Sequence, residues 1–299
     1  MRIGVVGLGS MGMGMAVSLV KAGHDVAGSD VRASAVDSLV AAGGRAAATP
    51  AAAAAEGAQL LILMVVNQAQ VETVLFGADG AVAGLPKGAV VMLSSTVPAA
   101  FTEALDGRLT ATGHILLDAP VSGGAAKAKT GELTIMSSGS AAAYAVADPA
   151  LAAVATTVYR LGDRPGIGST VKTVNQLLAG VHIAAAAEAM ALGTRAGADP
   201  RQLYEVISNS AGGSWMFQNR VPHMLDGDFT PLSSVEIFVK DLGLVLDTGR
   251  SLRFPLPIAA AAHQQFLAAA GSGHGGEDDS AVVKVYEAVA GISVARPKK

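Results

Sequence analysis

The chain has 299 residues, 51% of them apolar, and a formal net charge of -3. This length and apolar content predict two folded domains rather than a disordered chain, and the slightly negative charge argues against a nucleic-acid-binding surface. The sequence contains no cysteine, which excludes disulfides, thiolate metal ligands and a cysteine nucleophile.

The start of the chain argues against a signal peptide. Met1 and Arg2 lead directly into residues 3–7 (IGVVG), which are too glycine-rich for a signal-peptide core. The longest apolar run, residues 177–192, contains His182 and Glu188 and is short for a membrane span. We therefore expect a cytoplasmic protein with no membrane partner, in which this run is a buried helix.

Residues 1–163 alternate short apolar runs with helical patterns. Strands are predicted at 2–6, 25–29, 59–65, 89–93, 114–117, 134–136 and 157–159. Helices are predicted between most of them, at 12–22, 34–42, 51–57, 68–75 and 99–111. Near-continuous apolar strands separated by helices predict an α/β domain whose parallel sheet is covered on both faces.

From Gly166 onward the strand pattern stops, and helical patterns follow one another to Ala295. The second half is therefore predicted to be all-α. We place the domain boundary between residues 163 and 164, giving domains 1–163 and 164–299. A long apolar helix at about 169–196 is predicted near the start of the second domain.

A glycine-rich turn lies between the first predicted strand and the first predicted helix. Such glycines allow a tight turn, close approach of the backbone to a pyrophosphate, and packing of the helix on the strand. The helix N-terminus then supplies oriented N–H groups. The six residues predicted to bind a dinucleotide are Gly7, Leu8, Gly9, Ser10, Met11 and Gly12. A chance glycine turn is the alternative.

An acidic residue, Asp30, ends the second predicted strand, 18 residues after Gly12. A carboxylate at this spacing binds the adenosine ribose hydroxyls of NAD, and it would repel the 2′-phosphate of NADP. Arg32 is the counter-argument, because its side chain could turn toward a phosphate. NAD is therefore the predicted cofactor, and NADP is the alternative.

Two other predicted strands are also followed by residues that could contact the cofactor. Ligands of open α/β sheets bind beyond the carboxyl ends of the strands, so Val66, Asn67 and Thr96 are predicted to line the cofactor. For the serine and threonine residues 94–96, an N-cap of the helix after Pro98 is an alternative that is compatible with this role.

The loop after the fifth predicted strand has the sequence DAPVSGG at residues 118–124. Ser122 and the backbone N–H groups of Gly123 and Gly124 are predicted to bind a substrate carboxylate. An ordinary strand-to-helix turn is the alternative.

At the start of the long helix, Lys172 and Gln176 are four residues apart and project from the same face. The pair is either a solvated helix end or a catalytic pair. No spacing of His, Asp and Glu residues indicates a metal site.

Four motifs, in this order, resemble those of the β-hydroxyacid dehydrogenases. They are the glycine turn at 7–12, DAPVSGG at 118–124, GxGxxxK at 166–172 and KDLG at 240–243. The resemblance covers nearly the whole chain. It implies an N-terminal Rossmann domain with a parallel sheet, a long interdomain helix, an all-α C-terminal domain, and NAD(P)-dependent oxidation of a small hydroxy acid.

The resemblance also implies roles for individual residues. The family's catalytic lysine falls on Lys172, its substrate loop on residues 122–124, and its cofactor-side lysine on Lys240. An ion pair of Lys240 with Asp241 at the surface is the alternative for that residue. The family's substrate-binding asparagine falls on Gln176, whose amide is one methylene further from the backbone, and this is a departure from the pattern.

Within the family, residues 213–225 and Gln176 most resemble members that oxidise L-threonate with NAD. Members that act on 3-hydroxyisobutyrate or tartronate semialdehyde are the alternatives, and a non-catalytic cofactor-binding module is a more remote one. The expected partners are a small hydroxy acid and further copies of the chain, in a homodimer or homotetramer.

Overall fold

The computed structural model describes residues 1–55 and 57–296, so Glu56, within the predicted helix 51–57, lies outside the described residues. The chain divides into two compact units, one from Met1 to Lys172 and one from Thr173 onward. The predicted domain boundary between residues 163 and 164 stays a prediction.

The first unit contains nine described strands in one sheet. The strands are β1 Arg2–Val6, β2 Asp25–Ser29, β3 Arg45–Ala46, β4 Leu60–Leu63, β5 Val90–Leu93, β6 Ile115–Asp118, β7 Val121–Ser122, β8 Leu133–Gly139 and β9 Ala155–Arg160. Their order is β3-β2-β1-β4-β5-β6-β8-β7, and β9 pairs with β8. The chain direction across the sheet reverses between β1 and β4, which is where open α/β sheets bind their ligands.

The sheet is parallel from β3 to β6. Beyond β6, strand β8 runs antiparallel both to β6 and to the short β7, while β9 returns parallel to β8. The alternation of apolar runs and helices predicted the parallel part, whereas the two-residue strands β3 and β7 are too short to leave a periodic signal.

Helices cover both faces of this sheet. They are α1 Ser10–Lys21, α2 Ala33–Ala41, α3 Pro50–Ala54, α4 Gln68–Phe76, α5 Ala81–Gly84, α6 Ala99–Ala111, α7 Gly124–Thr130 and α8 Ala141–Val154. Alternate residues of the strands enter different cores: Leu60 and Ile62 pack with α1 and α8, whereas Leu61 and Leu63 pack with α3 to α6. This double burial explains the continuous apolar runs of the strands.

Helix α9, Ile167–Arg195, begins in the first unit and continues into the second. The remaining helices are α10 Pro200–Ser208, α11 Trp215–Asp226, α12 Val235–Leu252, α13 Pro257–Ala269 and α14 Val283–Ala290. Within the second unit, α9 packs its small residues closely, because a side-chain carbon at Gly180 would lie 2.9 Å from Leu242 on α12. Phe217 and Phe266 lie in the same core.

Among the described helices, α9 is long and apolar enough by length and composition to cross a membrane. Core helices of soluble proteins pass the same test. Three of its residues, Ile183, Ala187 and Met190, are fully buried in the core of the second unit, whereas Val174 and Leu178 are half exposed. The helix is therefore buried along one side rather than all round.

Candidate functional site

The three glycines of the turn after β1 have three different environments. Gly7 has φ +94°, and a side-chain carbon there would lie 2.3 Å from the backbone oxygen of Met64. A side-chain carbon at Gly12 would lie 1.9 Å from the Gly7 oxygen, whereas one at Gly9 would meet no described atom within 4 Å. Gly7 therefore forms the turn, Gly12 packs α1 against it, and Gly9 keeps the space beside the helix N-terminus open. This arrangement fits a pyrophosphate.

Asp30 follows β2 and bonds directly to this turn. Its Oδ2 accepts a hydrogen bond of 2.7 Å from the Leu8 N–H, and its Oδ1 accepts bonds of 2.9 and 3.1 Å from the backbone N–H and Nε of Arg32. Burial alone would raise the pKa of Asp30, but the bonds from Arg32 and Leu8 outweigh burial and lower it. The result is an ionised carboxylate beside the glycine turn.

Arg32 does not extend away from this carboxylate. Besides its bonds to Asp30, its Nη2 donates to the backbone oxygen of Leu8 at 3.2 Å. The guanidinium is therefore held across the turn, although its side chain is 59% exposed.

The residues predicted to line the cofactor at the ends of β4 and β5 differ in their contacts. Val66 is about half exposed. The Asn67 Oδ1 accepts from the Gln70 N–H at 2.9 Å and caps α4. Thr96 is partly buried. The side-chain oxygen of Asn67 is thus already used within the chain.

The alternative that residues 94–96 cap α6 does not hold for the side chains of Ser94 and Ser95. The residue before α6 is Pro98, which makes no side-chain capping bond. Instead, the Ser95 hydroxyl accepts from the Val65 N–H at 2.9 Å and donates to the Leu63 oxygen at 3.3 Å. It therefore ties the end of β5 to the end of β4.

The loop predicted to bind the substrate presents mainly backbone. Ser122 ends β7 opposite Thr134 on β8. Gly123 and Gly124 have φ of +130° and +74°, and a side-chain carbon at Gly124 would meet no described atom within 4 Å. These conformations favour glycine. Because glycine has no side chain, residues 123 and 124 do not cover their own backbone N–H groups.

Lys172 is 7% exposed, so it is not a solvated helix end. Its position is fixed by the start of α9, which is bound to Asp118 at the end of β6. The Asp118 carboxylate is fully buried and accepts from the Gly166 N–H at 2.9 Å, the Ser169 N–H at 2.8 Å and the Ser169 hydroxyl at 2.7 Å. Burial raises the pKa of Asp118, although these bonds oppose it.

In the second unit, Gln176 is 9% exposed and bonds to a buried carboxylate. Its Nε2 donates to Asp241 Oδ2 at 2.5 Å, and its Oε1 accepts from Asn175 at 3.0 Å. Lys240 also donates to Asp241. The alternative for Lys240 therefore has the correct partner, and the ion pair is partly buried, because the Lys240 side chain is 24% exposed and that of Asp241 is 2% exposed.

Asp118 and Asp241 contribute to the site in ways that the sequence did not predict. Both belong to quoted motifs, but neither had been given a positioning role. The signal for Asp118 was an acidic residue directly after an apolar strand. Within residues 1–55 and 57–296, no group of three His, Asp or Glu side chains is placed to hold a metal ion.

Two family models match the chain. The model of the NAD-binding domain of 6-phosphogluconate dehydrogenase matches residues 2–162. The model described as NAD-binding of NADP-dependent 3-hydroxyisobutyrate dehydrogenase matches residues 166–286. The chain belongs to the β-hydroxyacid dehydrogenase family. It is accordingly a dehydrogenase of the type that binds NAD and acts on a CH–OH group.

Individual relatives of this β-hydroxyacid dehydrogenase cover nearly its whole length. An L-threonate dehydrogenase from Cupriavidus necator is 58% identical over 96% of this chain and 97% of its own. One from Escherichia coli O6:H1 is 52% identical over 96% of this chain and 95% of its own. The crystal structure of a 3-hydroxyisobutyrate dehydrogenase from Salmonella typhimurium is 53% identical, covers 95% of this chain and 99% of its own, and has a TM-score of 0.89.

Proposed function

We propose that this chain oxidises L-threonate to 2-dehydro-L-erythronate with NAD. The observation that carries the proposal is the likeness to relatives named L-threonate dehydrogenase, which share 50 to 58% of the aligned residues over nearly the whole chain. Gln176, where much of the family has asparagine, accords with this branch.

The chain's own residues fit NAD. The turn at Gly7–Gly12 would hold the pyrophosphate, and Asp30 would bind the adenosine ribose hydroxyls. NAD is preferred over NADP because the ionised Asp30 would repel a 2′-phosphate and already holds Arg32. The further cofactor-lining residues are proposed to be Val66, Asn67, Thr96 and Lys240. When bound, NAD would supply the acceptor for the hydride that leaves the carbinol carbon.

Lys172 is proposed to act on the reacting hydroxyl. Its unprotonated amine accepts the hydroxyl proton as general base, and the ammonium that forms offsets the negative charge on the oxygen. Ser122 and the backbone N–H groups of Gly123 and Gly124 would bind the substrate carboxylate. Burial of Lys172 supports this role, because an amine that is only 7% exposed is largely shielded from bulk water.

Gln176 is proposed to orient the substrate, one helical turn after Lys172. The Gln176 amide nitrogen donates to Asp241 Oδ2, so the amide oxygen faces away from that side chain. Its oxygen keeps a second lone pair beyond the bond from Asn175. It would accept from a substrate hydroxyl, and a polyol acid such as L-threonate has such hydroxyls.

A second candidate substrate is 3-hydroxyisobutyrate. The Salmonella protein of known structure, which is 53% identical, is named 3-hydroxyisobutyrate dehydrogenase. Tartronate semialdehyde is the remaining small substrate that the family resemblance suggested. A non-catalytic cofactor-binding module is disfavoured, since such a protein has no need to keep both the buried Lys172 and the substrate loop at 122–124.

We further propose a cytoplasmic homodimer or homotetramer. The half-exposed Val174 and Leu178 lie one turn apart on α9, and Leu192 on the same helix is 69% exposed. Burial of these apolar side chains by another copy of the chain would stabilise the assembly.

The experiment is an assay of NADH formation with a panel of hydroxy acids having three to five carbons. L-threonate should give the highest kcat/KM. A rate with 3-hydroxyisobutyrate and none with L-threonate would contradict the proposal and favour the second candidate. NADP in place of NAD tests the cofactor preference in the same assay.

The Lys172→Ala variant belongs in the same experiment. Loss of the general base and of its charge should lower kcat by about three orders of magnitude or more, while NADH binding, followed by fluorescence, persists. Turnover close to that of the unaltered chain would remove Lys172 from the mechanism.

A further inference from the structure

The start of α9 is held by one fully buried carboxylate. Asp118 Oδ2 accepts from the backbone N–H groups of Gly166 and Ser169, and Oδ1 accepts from the Ser169 hydroxyl. Ser138 on β8 adds a fourth bond, from its hydroxyl to Oδ2 at 3.2 Å. Two of the four donors are backbone N–H groups at a helix start, which otherwise have no partner within the helix.

The fit between this carboxylate and the helix is close. A side-chain carbon at Gly168 would lie 2.9 Å from Asp118 Oδ2 and 2.4 Å from the backbone oxygen of Met136. The Gly168 N–H donates to the Ser138 hydroxyl at 3.0 Å. Gly168, the second glycine of the GxGxxxK motif, therefore lets the helix backbone lie directly on β6 and β8.

A third element fixes the same turn of helix. The Ser169 hydroxyl, which donates to Asp118, is also 3.0 Å from the Thr102 hydroxyl on α6. Both Ser169 and Thr102 are almost completely buried. Contacts from β6, β8 and α6 thus define the place and rotation of the first turn of α9.

Lys172 follows this turn directly. It lies three residues after Ser169 and four after Gly168, and side chains in a helix point back toward the N-terminus, over the preceding turn. The Lys172 side chain therefore lies along the turn that Asp118 binds. A change in the position or rotation of that turn carries the amine with it.

We propose that Asp118 is the positioning residue for Lys172, holding the first turn of α9 in the one placement that brings the amine to the reacting hydroxyl. Asp118 acts through the helix and need not touch the substrate. The inference rests on the general-base role of Lys172 in the proposed function.

Asp118→Asn tests this role with little change in size. An amide keeps one acceptor oxygen for the three donors at Oδ2, but its NH2 group takes the place of Oδ1 and faces the Ser169 hydroxyl, which must then accept instead of donate. The first turn of α9 should therefore shift. Displacement of a catalytic group by about 1 Å can cost about 100-fold in rate. We expect kcat to fall about 10- to 100-fold while KM for NAD and the affinity for NADH are unchanged. Ser169→Ala, which removes one donor, should lower kcat in the same direction.

Asp278→Asn is the matched control. Asp278 is also fully buried, and it binds a helical turn in the second unit in the same manner, accepting from the N–H and hydroxyl of Ser280 and from the Leu232 N–H. Its loss should lower stability to a similar extent without lowering kcat in the protein that remains folded. An equal loss of kcat in Asp278→Asn would show that the effect of Asp118 is only structural.

The double variant Asp118→Asn/Lys172→Ala shows whether Asp118 affects the rate through Lys172 or independently of it. Rates are measured in single turnovers with enzyme in excess. If Asp118 acts through Lys172, its substitution lowers the rate of Lys172→Ala no further. The same factor in both backgrounds would overturn the inference, as would wild-type kcat in Asp118→Asn and Ser169→Ala. A fully active Lys172→Ala would instead refute the proposed function.

Discussion

The carboxylate of Asp30 binds both the glycine turn and Arg32, so we expect both the affinity for NAD and the preference for NAD over NADP to depend on this residue. We predict that Asp30→Ala raises KM for NAD about 10- to 100-fold, because a hydrogen bond to a charged group contributes about 1.5–3 kcal/mol. The variant should also use NADP better relative to NAD, since the negative charge is gone and Arg32 is released from it. Initial rates with both cofactors measure this.

Asp25→Ala is the control for that substitution. Asp25 begins β2, the strand that Asp30 follows, and forms an exposed ion pair with Arg45 at 2.7 Å. Its removal should therefore leave the preference for NAD as it was. An unchanged KM for NAD in Asp30→Ala would show that the carboxylate does not contact the cofactor.

Single residues also mark how far the sequence could predict the candidate site. Asp30 was found because its spacing from the glycine turn is fixed by the strand and helix between them. Asn67 was predicted only as a cofactor contact, yet its side chain caps α4. Asp118 escaped notice because its partners, Gly166 and Ser169, lie some 50 residues later in the chain, and such long-range contacts leave no local pattern.

At the scale of elements, the packing of α1 against the turn after β1 allows no side chain at Gly12. We predict that Gly12→Ala costs about 1–3 kcal/mol of stability by overpacking and weakens NADH binding, because its methyl group would displace the Gly7 carbonyl. Chemical denaturation followed by circular dichroism, together with NADH fluorescence titration, measures both effects.

Gly107→Ala is the matched control for Gly12→Ala. Gly107 lies in α6, is exposed, and a side-chain carbon there would meet no described atom within 4 Å. Alanine at a helical position is more stable than glycine by about 0.5–1 kcal/mol. Equal effects of the two substitutions would mean that α1 does not pack as described.

The elements themselves show why the fold was largely predictable. Strands β1 and β2 were predicted with the bounds that they have. Strands β4 and β5 are continuously apolar because they are buried on both faces. The antiparallel direction of β8 could not be predicted, since hydrophobicity does not encode the direction in which a strand pairs. The start of α9 was predicted within two residues from its glycines.

At the scale of the whole molecule, each unit has a buried charged group of its own. In the second unit, Arg220 donates to both oxygens of Asp279, at 2.5 and 3.1 Å, and Asp279 is fully buried. We predict that Arg220→Met destabilises this unit by about 3–5 kcal/mol, because it leaves a buried carboxylate without its cation. The sequence contains one tryptophan, Trp215 on α11, so tryptophan fluorescence during denaturation reports on this unit.

Arg250→Met supplies the comparison. Arg250 pairs with Asp247 at 2.7 Å in the same unit, but both side chains are more than 70% exposed. Exposed pairs contribute at most about 1 kcal/mol, so the fluorescence transition should move little. A similar shift in both variants would show that the buried pair contributes no more than an exposed one.

The residue Asp118 stands at the beginning of the loop that continues through Ser122 to Gly124, while its side chain holds the helix that carries Lys172. On the proposed roles, one strand end sets the distance between the group that binds a carboxylate and the group that takes a proton. This distance would limit how far the reacting hydroxyl of a substrate can lie from its carboxylate. A hydroxyl on the carbon next to the carboxylate and one a carbon further away require different distances between the loop and the Lys172 amine. Small changes at this strand end therefore offer a route to new substrates without rebuilding the fold.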